Sequence, residues 1–216
     1  MTVTYSEIPN KLVSSANGID YAHREVGEGA VPLVVLQHFR GNLDNWDPAL
    51  IDALASTRHV VAFDNTGVGG STGATPDTVE QMARDAIAFL DAMGFGQADI
   101  LGFSIGSFVA QEIALIRPGL VRSLILASSA PHGAAGMHGW ATDVIGAIGT
   151  PETSPGKYLD VFFTRSASSR HAGEQALQRM YARTQDRTRR PPGKPARPST
   201  TRSAPGGSRT TRYCRG

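Results

Sequence analysis

Gly102-Phe103-Ser104-Ile105-Gly106 is the stretch on which the reading of this chain turns. It follows a short strand-like run, Ala98 to Leu101, and opens a helix-like run, Ser104 to Arg117. A serine between two glycines at a strand-to-helix corner has the pattern of a nucleophile elbow, where a strained turn lifts the hydroxyl above the sheet edge. Gly102 and Gly106 are the residue type such a turn needs, because side chains there would meet the adjoining strand and helix. Alone the pentapeptide reads equally as a small-residue turn, and it is the flanking strand and helix that give it chemical meaning.

Outward from the elbow, strand and helix signals alternate, the pattern of an α/β fold with a mainly parallel sheet. Leu12 to Ser14 and Ile19 to Val26 read as two early strands around an Asn17-Gly18 turn. Leu33 to Leu36 and Val60 to Phe63 are continuous apolar runs, as in strands covered on both faces. Between them Asp47-Pro48 reads as the cap and first residue of a helix through Leu50, Ile51 and Leu54. A longer helix is expected from Asp77, with Asp77 and Glu80 as its cap pair and Gly94 as its stop. After Pro118-Gly119, Leu120 to Ala127 reads as a further apolar strand.

Composition divides the chain. Of its 216 residues 40% are apolar, enough for one sizeable core, and the net charge is only +2. Residues 1 to 186 nevertheless carry 12 Lys and Arg and all 19 acidic residues, whereas 187 to 216 carry nine basic residues and no acid. That last segment lacks Val, Ile, Leu, Met, Phe and Trp, so it is expected to be disordered. The organisation expected is a core over 1-131, a helical cap-like insertion over 132-186 with an amphipathic stretch from Glu174 to Arg183, and a basic tail over 187-216. No apolar run reaches the roughly 18 residues of a membrane span, and Met1 to Asn10 lacks a signal-peptide pattern, so a cytoplasmic protein is expected. The single cysteine, Cys214, supports neither a disulfide nor a metal site, and no cofactor is expected.

With these motifs in place, the segment from Leu33 to Pro131 resembles the N-terminal core of the α/β-hydrolase family, in its esterase and cofactor-free haloperoxidase-like branch. The resemblance implies that Ser104 is the nucleophile. Gln37-His38-Phe39-Arg40-Gly41 stands where the family usually shows a His-Gly-x-x-Gly loop, so the resemblance assigns oxyanion donors to the backbone N–H groups of Phe39 and Ile105. Each such donor is worth about 3 kcal/mol in a dry, preorganised site. Gln37 and His38 depart from the family pattern, and His38 reads as a packed loop histidine. Asp64-Asn65-Thr66-Gly67-Val68-Gly69-Gly70-Ser71 resembles the structural D-x-x-G-x-G-x-S turn of these enzymes. Its spacing and flanks do not fit a dinucleotide loop.

The resemblance stops after Pro131. The family places an acidic residue and then a histidine on loops after two further strands. Here the apolar runs beyond Pro131, such as Val161 to Phe163, are short. Asp143, Asp160, His132, His138 and His171 all fall in the cap-like segment, and none reads as a convincing triad partner. The fold expected is therefore an α/β-hydrolase sheet lacking its last strands. The function implied is hydrolysis of small ester or related acyl substrates through a Ser104 acyl-enzyme, with impaired turnover. The same motifs serve perhydrolases and haloperoxidases. The alternatives are an inactive hydrolase fragment, or a polyanion-binding protein acting through the tail, although one aromatic residue and no recognition fold argue against nucleic acid. The switch to Arg, Pro, Thr, Ser, Gly and Ala from about Asp186 reads as a frame shift in a GC-rich gene. Restoring the frame is expected to reveal about 70 to 100 further residues carrying the missing strands, Asp and His.

Overall fold

The computed structural model describes residues 4–131, 134 and 154–188. Among the described residues six strands form one sheet: β1 (Lys11–Ser14), β2 (Asp20–Val26), β3 (Leu33–Leu36), β4 (Val60–Phe63), β5 (Ala98–Phe103) and β6 (Val121–Ala127). Their spatial order is β1-β2-β4-β3-β5-β6, with β2 antiparallel to both of its neighbours, β1 and β4, and β4, β3, β5 and β6 mutually parallel. Helices α1 (Pro48–Ala55), α2 (Val79–Ala92) and α3 (Ile105–Ile116) connect them, and α4 (Pro155–Phe162) and α5 (Ala167–Tyr181) follow β6.

The continuous apolar runs of β3 and β4 are explained by burial on two sides. Val34, Leu36, Val61 and Phe63 face α2 and α3, where Phe63 stacks on Phe89 with ring centroids 4.1 Å apart. Leu33, Val35, Val60 and Ala62 face the opposite layer with Tyr5, Leu43, Trp46 and Ile51 of α1. Strands covered on both faces have no polar side to show, so the alternation characteristic of a half-exposed strand disappears.

Local signals set most boundaries. Asp47 caps α1 by accepting from the Ala49 N–H at 3.0 Å, with Pro48 at the first helical position. The expected cap at Asp77 is one residue early: Thr78 is the cap, accepting from the Gln81 N–H at 3.1 Å, and Glu80 instead pairs with Arg84 at 2.8 Å. Asp77–Glu80 and Thr78–Gln81 satisfy the same spacing rule, and the backbone selects the second. Gly94, at φ +74°, ends α2. The apolar run Val161 to Phe163 is not a strand: its first two residues close α4.

The chain divides into two compact units, one of residues 1–130 with 178–191 and the other of 131–177 with 192–216. Thr188, one residue beyond the expected start of the tail, is buried in the first unit; residues 189–216, Cys214 among them, lie outside the described residues. In the second unit Gly173 leaves room for Leu159 and Phe163, and Asp160 is ion-paired with Arg170 at 2.6 Å.

Among the described residues β6 is an edge strand, in which Leu124, Ile125 and Leu126 are 36%, 44% and 40% exposed. An apolar edge with unpaired backbone groups is a template for association. Anilinonaphthalene sulfonate should therefore bind the purified protein, and Ile125→Lys should reduce its fluorescence by about twofold or more. Background fluorescence from the parent chain would contradict that reading of the edge.

Candidate active site

Ser104 stands at the corner between β5 and α3 with φ 55° and ψ −122°, a backbone conformation that non-glycine residues rarely hold. The corner is fixed from both sides. The Ser104 N–H donates to the Ala127 carbonyl of β6 at 2.9 Å, and the Ser104 carbonyl accepts from the Ser107 N–H at 2.8 Å and the Ser107 hydroxyl at 2.6 Å.

The two flanking glycines are required by contact. A Cβ on Gly102 would overlap the Gly106 carbonyl, lying 2.6 Å from its carbon. A Cβ on Gly106 would lie 2.7 Å from the Leu36 carbonyl carbon and 2.9 Å from the Gln37 oxygen. The obstacles are backbone atoms of α3 and of the end of β3, which cannot rotate away. The elbow is thus packed directly against the start of the Gln37–Gly41 loop.

That loop is shaped by its own side chains. Gln37 is buried and accepts from the His38 N–H through Oε1 at 2.9 Å. The His38 ring packs edge-on against Phe103, with centroids 5.7 Å apart, and its Nδ1 lies 2.9 Å from the Phe39 carbonyl oxygen. Burial lowers the His38 pKa, favouring the neutral ring. Arg40 takes φ 61°, a second strained residue three positions into the loop from Gln37. Gly41 closes it where a Cβ would meet the Gln37 side chain.

Asp64 supports the loop from the core. Fully buried at the end of β4, its carboxylate accepts from the Leu43 N–H at 2.7 Å and the Gly70 N–H at 2.8 Å. Gly69, at φ 57°, has no space for a Cβ against that carboxylate. Burial pushes the Asp64 pKa up to about 7, against the two N–H donors, which favour the ionised form. The sign of the linkage is then clear. An acid whose folded pKa is raised contributes most below its unfolded value near 4, and that contribution is lost as pH rises towards 7. Relative to Asp64→Asn, the parent chain should lose stability between about pH 4 and 7, with a slope of at most about 1.4 kcal/mol per pH unit. A pH-independent difference in urea denaturation midpoints would contradict this.

The expected residues fall into three groups. Ser104, Ile105, Gly102 and Gly106 share the elbow, and Phe39 lies in the adjacent loop. His171 is an exposed residue of α5 with Nε2 3.0 Å from Gln175 Nε2, and Asp160 is engaged by Arg170. His132, His138 and Asp143 lie outside the described residues. The buried support by Asp64 was not assigned to the site by sequence; its only signal is the aspartate that opens the glycine-rich turn. Among the described residues no group of three or more His, Cys, Asp or Glu side chains could hold a metal, and no helix is long and apolar enough to cross a membrane.

The model of the alpha/beta hydrolase fold family matches residues 31–210. The chain belongs to that family. An alpha/beta hydrolase fold protein from Chitinophaga pinensis superposes with a TM-score of 0.81 at 38% identity, over 87% of this chain and 68% of that one. A Mycobacterium tuberculosis protein provisionally named non-heme bromoperoxidase BpoC is 32% identical over 109 residues, 50% of this chain and 41% of its own length. An Azorhizobium caulinodans protein provisionally named carbamate hydrolase RutD is 32% identical over 118 residues, 54% of this chain and 40% of its own. The chain thus spans about two-fifths of the length of these curated relatives. The family assignment accounts for the strand order, the mainly parallel sheet and the elbow corner after β5.

Proposed function

We propose that this alpha/beta hydrolase acts on small esters or related acyl compounds through an acyl-enzyme on Ser104. The observation that carries the reading is the strained Ser104 corner, whose flanking glycines are forbidden a Cβ by backbone atoms of β3 and α3. Strain retained at such a point is characteristic of a functional site. The names of the bromoperoxidase-like and carbamate-hydrolase-like relatives support chemistry on small molecules, without fixing the substrate.

In this reading the Ser104 Oγ attacks the acyl carbon, and its proton passes to water, since no described side chain stands as its base. The carbonyl π electrons move onto oxygen, where the N–H groups of Phe39 and Ile105 stabilise the developing charge. The intermediate collapses by breaking the bond to the leaving group, which departs as an alkoxide or takes up a proton, leaving an ester on Ser104. Water then releases the acid and restores the hydroxyl. Ile105 opens α3, so its N–H belongs to the helix N-terminus, where backbone donors lack intrahelical partners. Helices α4 and α5 are proposed as part of a helical cap.

No described Asp–His pair completes a triad with Ser104, so turnover should be slow, with acylation by an activated ester outpacing deacylation by water. The p-nitrophenyl acetate reaction tests the reading: a burst of p-nitrophenolate close to one equivalent per chain is expected, followed by a slow phase. Linear release at the rate of Ser104→Ala would overturn it.

A further inference from the structure

Asp44 is only 7% exposed, and two distant parts of the chain, Arg24 and residues 183–188, supply its partners. Arg24, itself buried, donates from Nη2 to Oδ1 at 2.6 Å. Thr188 donates to Oδ2 twice, from its backbone N–H at 2.9 Å and its hydroxyl at 3.2 Å. The guanidinium groups of Arg183 and Arg187 each approach the carboxylate to 3.8 Å. A buried charge tolerates this position only because these donors are supplied together.

The arm that delivers Thr188 is itself secured. Arg183 donates from Nη1 to the Ser6 and Ile8 carbonyls at 2.7 and 2.9 Å. Asp186 accepts from the Asn10 N–H at 2.6 Å, and Arg179 makes a two-pronged pair with Asp47 at 2.8 and 2.6 Å. The arm therefore arrives at Asp44 with little freedom of its own.

Asp44 lies in a one-turn 3₁₀ helix, Leu43–Asn45, whose cap, Asn42, directly follows Gly41. Asn42 ties the turn to the arm by donating from Nδ2 to the Thr188 carbonyl at 3.4 Å. On the inner side, Asp64 holds the Leu43 N–H. The Gln37–Gly41 loop thus runs between β3 and a turn held on one side by the core and on the other by residues 183–188. Arg40 at positive φ is a strained position within the loop, so the end anchors add to the loop's own Gln37 and His38 contacts in holding this path.

We infer that residues 183–188 form a latch that sets the Gln37–Gly41 loop against the Ser104 elbow, with Asp44 and Thr188 as positioning residues for acylation. The inference rests on the serine-hydrolase reading for its catalytic consequence, but the latch itself is a claim about the loop. An oxyanion donor acts over a fraction of an ångström, so a loosened loop weakens transition-state stabilisation while leaving encounter with the reagent unchanged.

Amide hydrogen exchange and fluorophosphonate labelling on the full chain test the two parts separately. In Asp44→Asn an amide nitrogen can face the two Thr188 donors, and in Thr188→Val the hydroxyl is lost with shape retained; Thr188→Ser keeps it. Exchange over residues 38–43 should quicken about tenfold in Asp44→Asn and severalfold in Thr188→Val, as expected for losing hydrogen bonds to a charged group. Thr188→Ser should match the parent. The limiting labelling rate should fall in the same order, with the reagent concentration for half-maximal rate unchanged. If Asp44→Asn does not fold, the two Thr188 variants decide. Unchanged exchange over 38–43 in Thr188→Val, or equal quickening throughout β3, β4 and β5, would overturn the latch. Quickened loop exchange in a parent background that never labels at Ser104 would uphold the latch and overturn the hydrolase reading instead.

Discussion

Gly106→Ala should destabilise the protein by about 3 kcal/mol or more, although glycine to alanine inside a helix normally gains about 0.5–1 kcal/mol. The sign reverses because the new methyl would sit 2.7 Å from the Leu36 carbonyl carbon and 2.9 Å from the Gln37 oxygen, both backbone atoms at the end of β3. Relief requires α3 to back away from the sheet or β3 to bend, and either movement shifts Ser104 relative to the loop. For a domain of this size the change corresponds to a fall in melting temperature of roughly 6–12 °C. Gly119→Ala is the control: no heavy atom lies within 4 Å of a Cβ there, and its stability should remain within about 0.5 kcal/mol of the parent. Thermal unfolding of the three proteins decides the matter. A neutral or stabilising Gly106→Ala would mean the corner is not packed as described.

Steady-state ester turnover should be slow, near 10⁻³ s⁻¹ or below, because removing the histidine of a triad costs on the order of 10⁴ or more from an ordinary value of about 10 s⁻¹. Ser104→Ala should reduce even this to the rate in buffer. The residual activity is ascribed to the oxyanion donors and the placement of Ser104, which act without a base. A kcat near 10 s⁻¹ would show that a base is present, with His132, His138 and His171 the first candidates for replacement by alanine. Spectrophotometric release of p-nitrophenolate after the initial burst provides the measurement.

The fold was largely legible because its signals are local. The runs in β3 and β4, the Asp47-Pro48 helix start and the Gly-x-Ser-x-Gly corner each depend on residues a few positions apart. The ambiguity between Asp77 and Thr78 is also local, and sequence could not resolve it because both residues are good caps followed three positions later by a Glu or Gln. What could not be read was long-range polar pairing. Arg183, Arg187 and Thr188 stand in a charge-rich stretch that ordinarily faces water, and their value lies in meeting Asp44, which is 144 positions before Thr188. Asp64 was recognisable as part of a turn, but not as the acceptor for Leu43 that anchors the loop beside the elbow. Periodicity says which residues are buried together when they are apolar. It carries no comparable signal for a buried carboxylate whose partners come from both ends of the chain.

The central claim is that Ser104 is set up for acyl transfer by the corner that holds it. Its most direct test is the mass of the intact protein after treatment with a fluorophosphonate, followed by peptide mapping. The account predicts one adduct per chain, located on Ser104 and absent from Ser104→Ala. Equal modification of Ser104→Ala, or an adduct mapped to another residue, would contradict it.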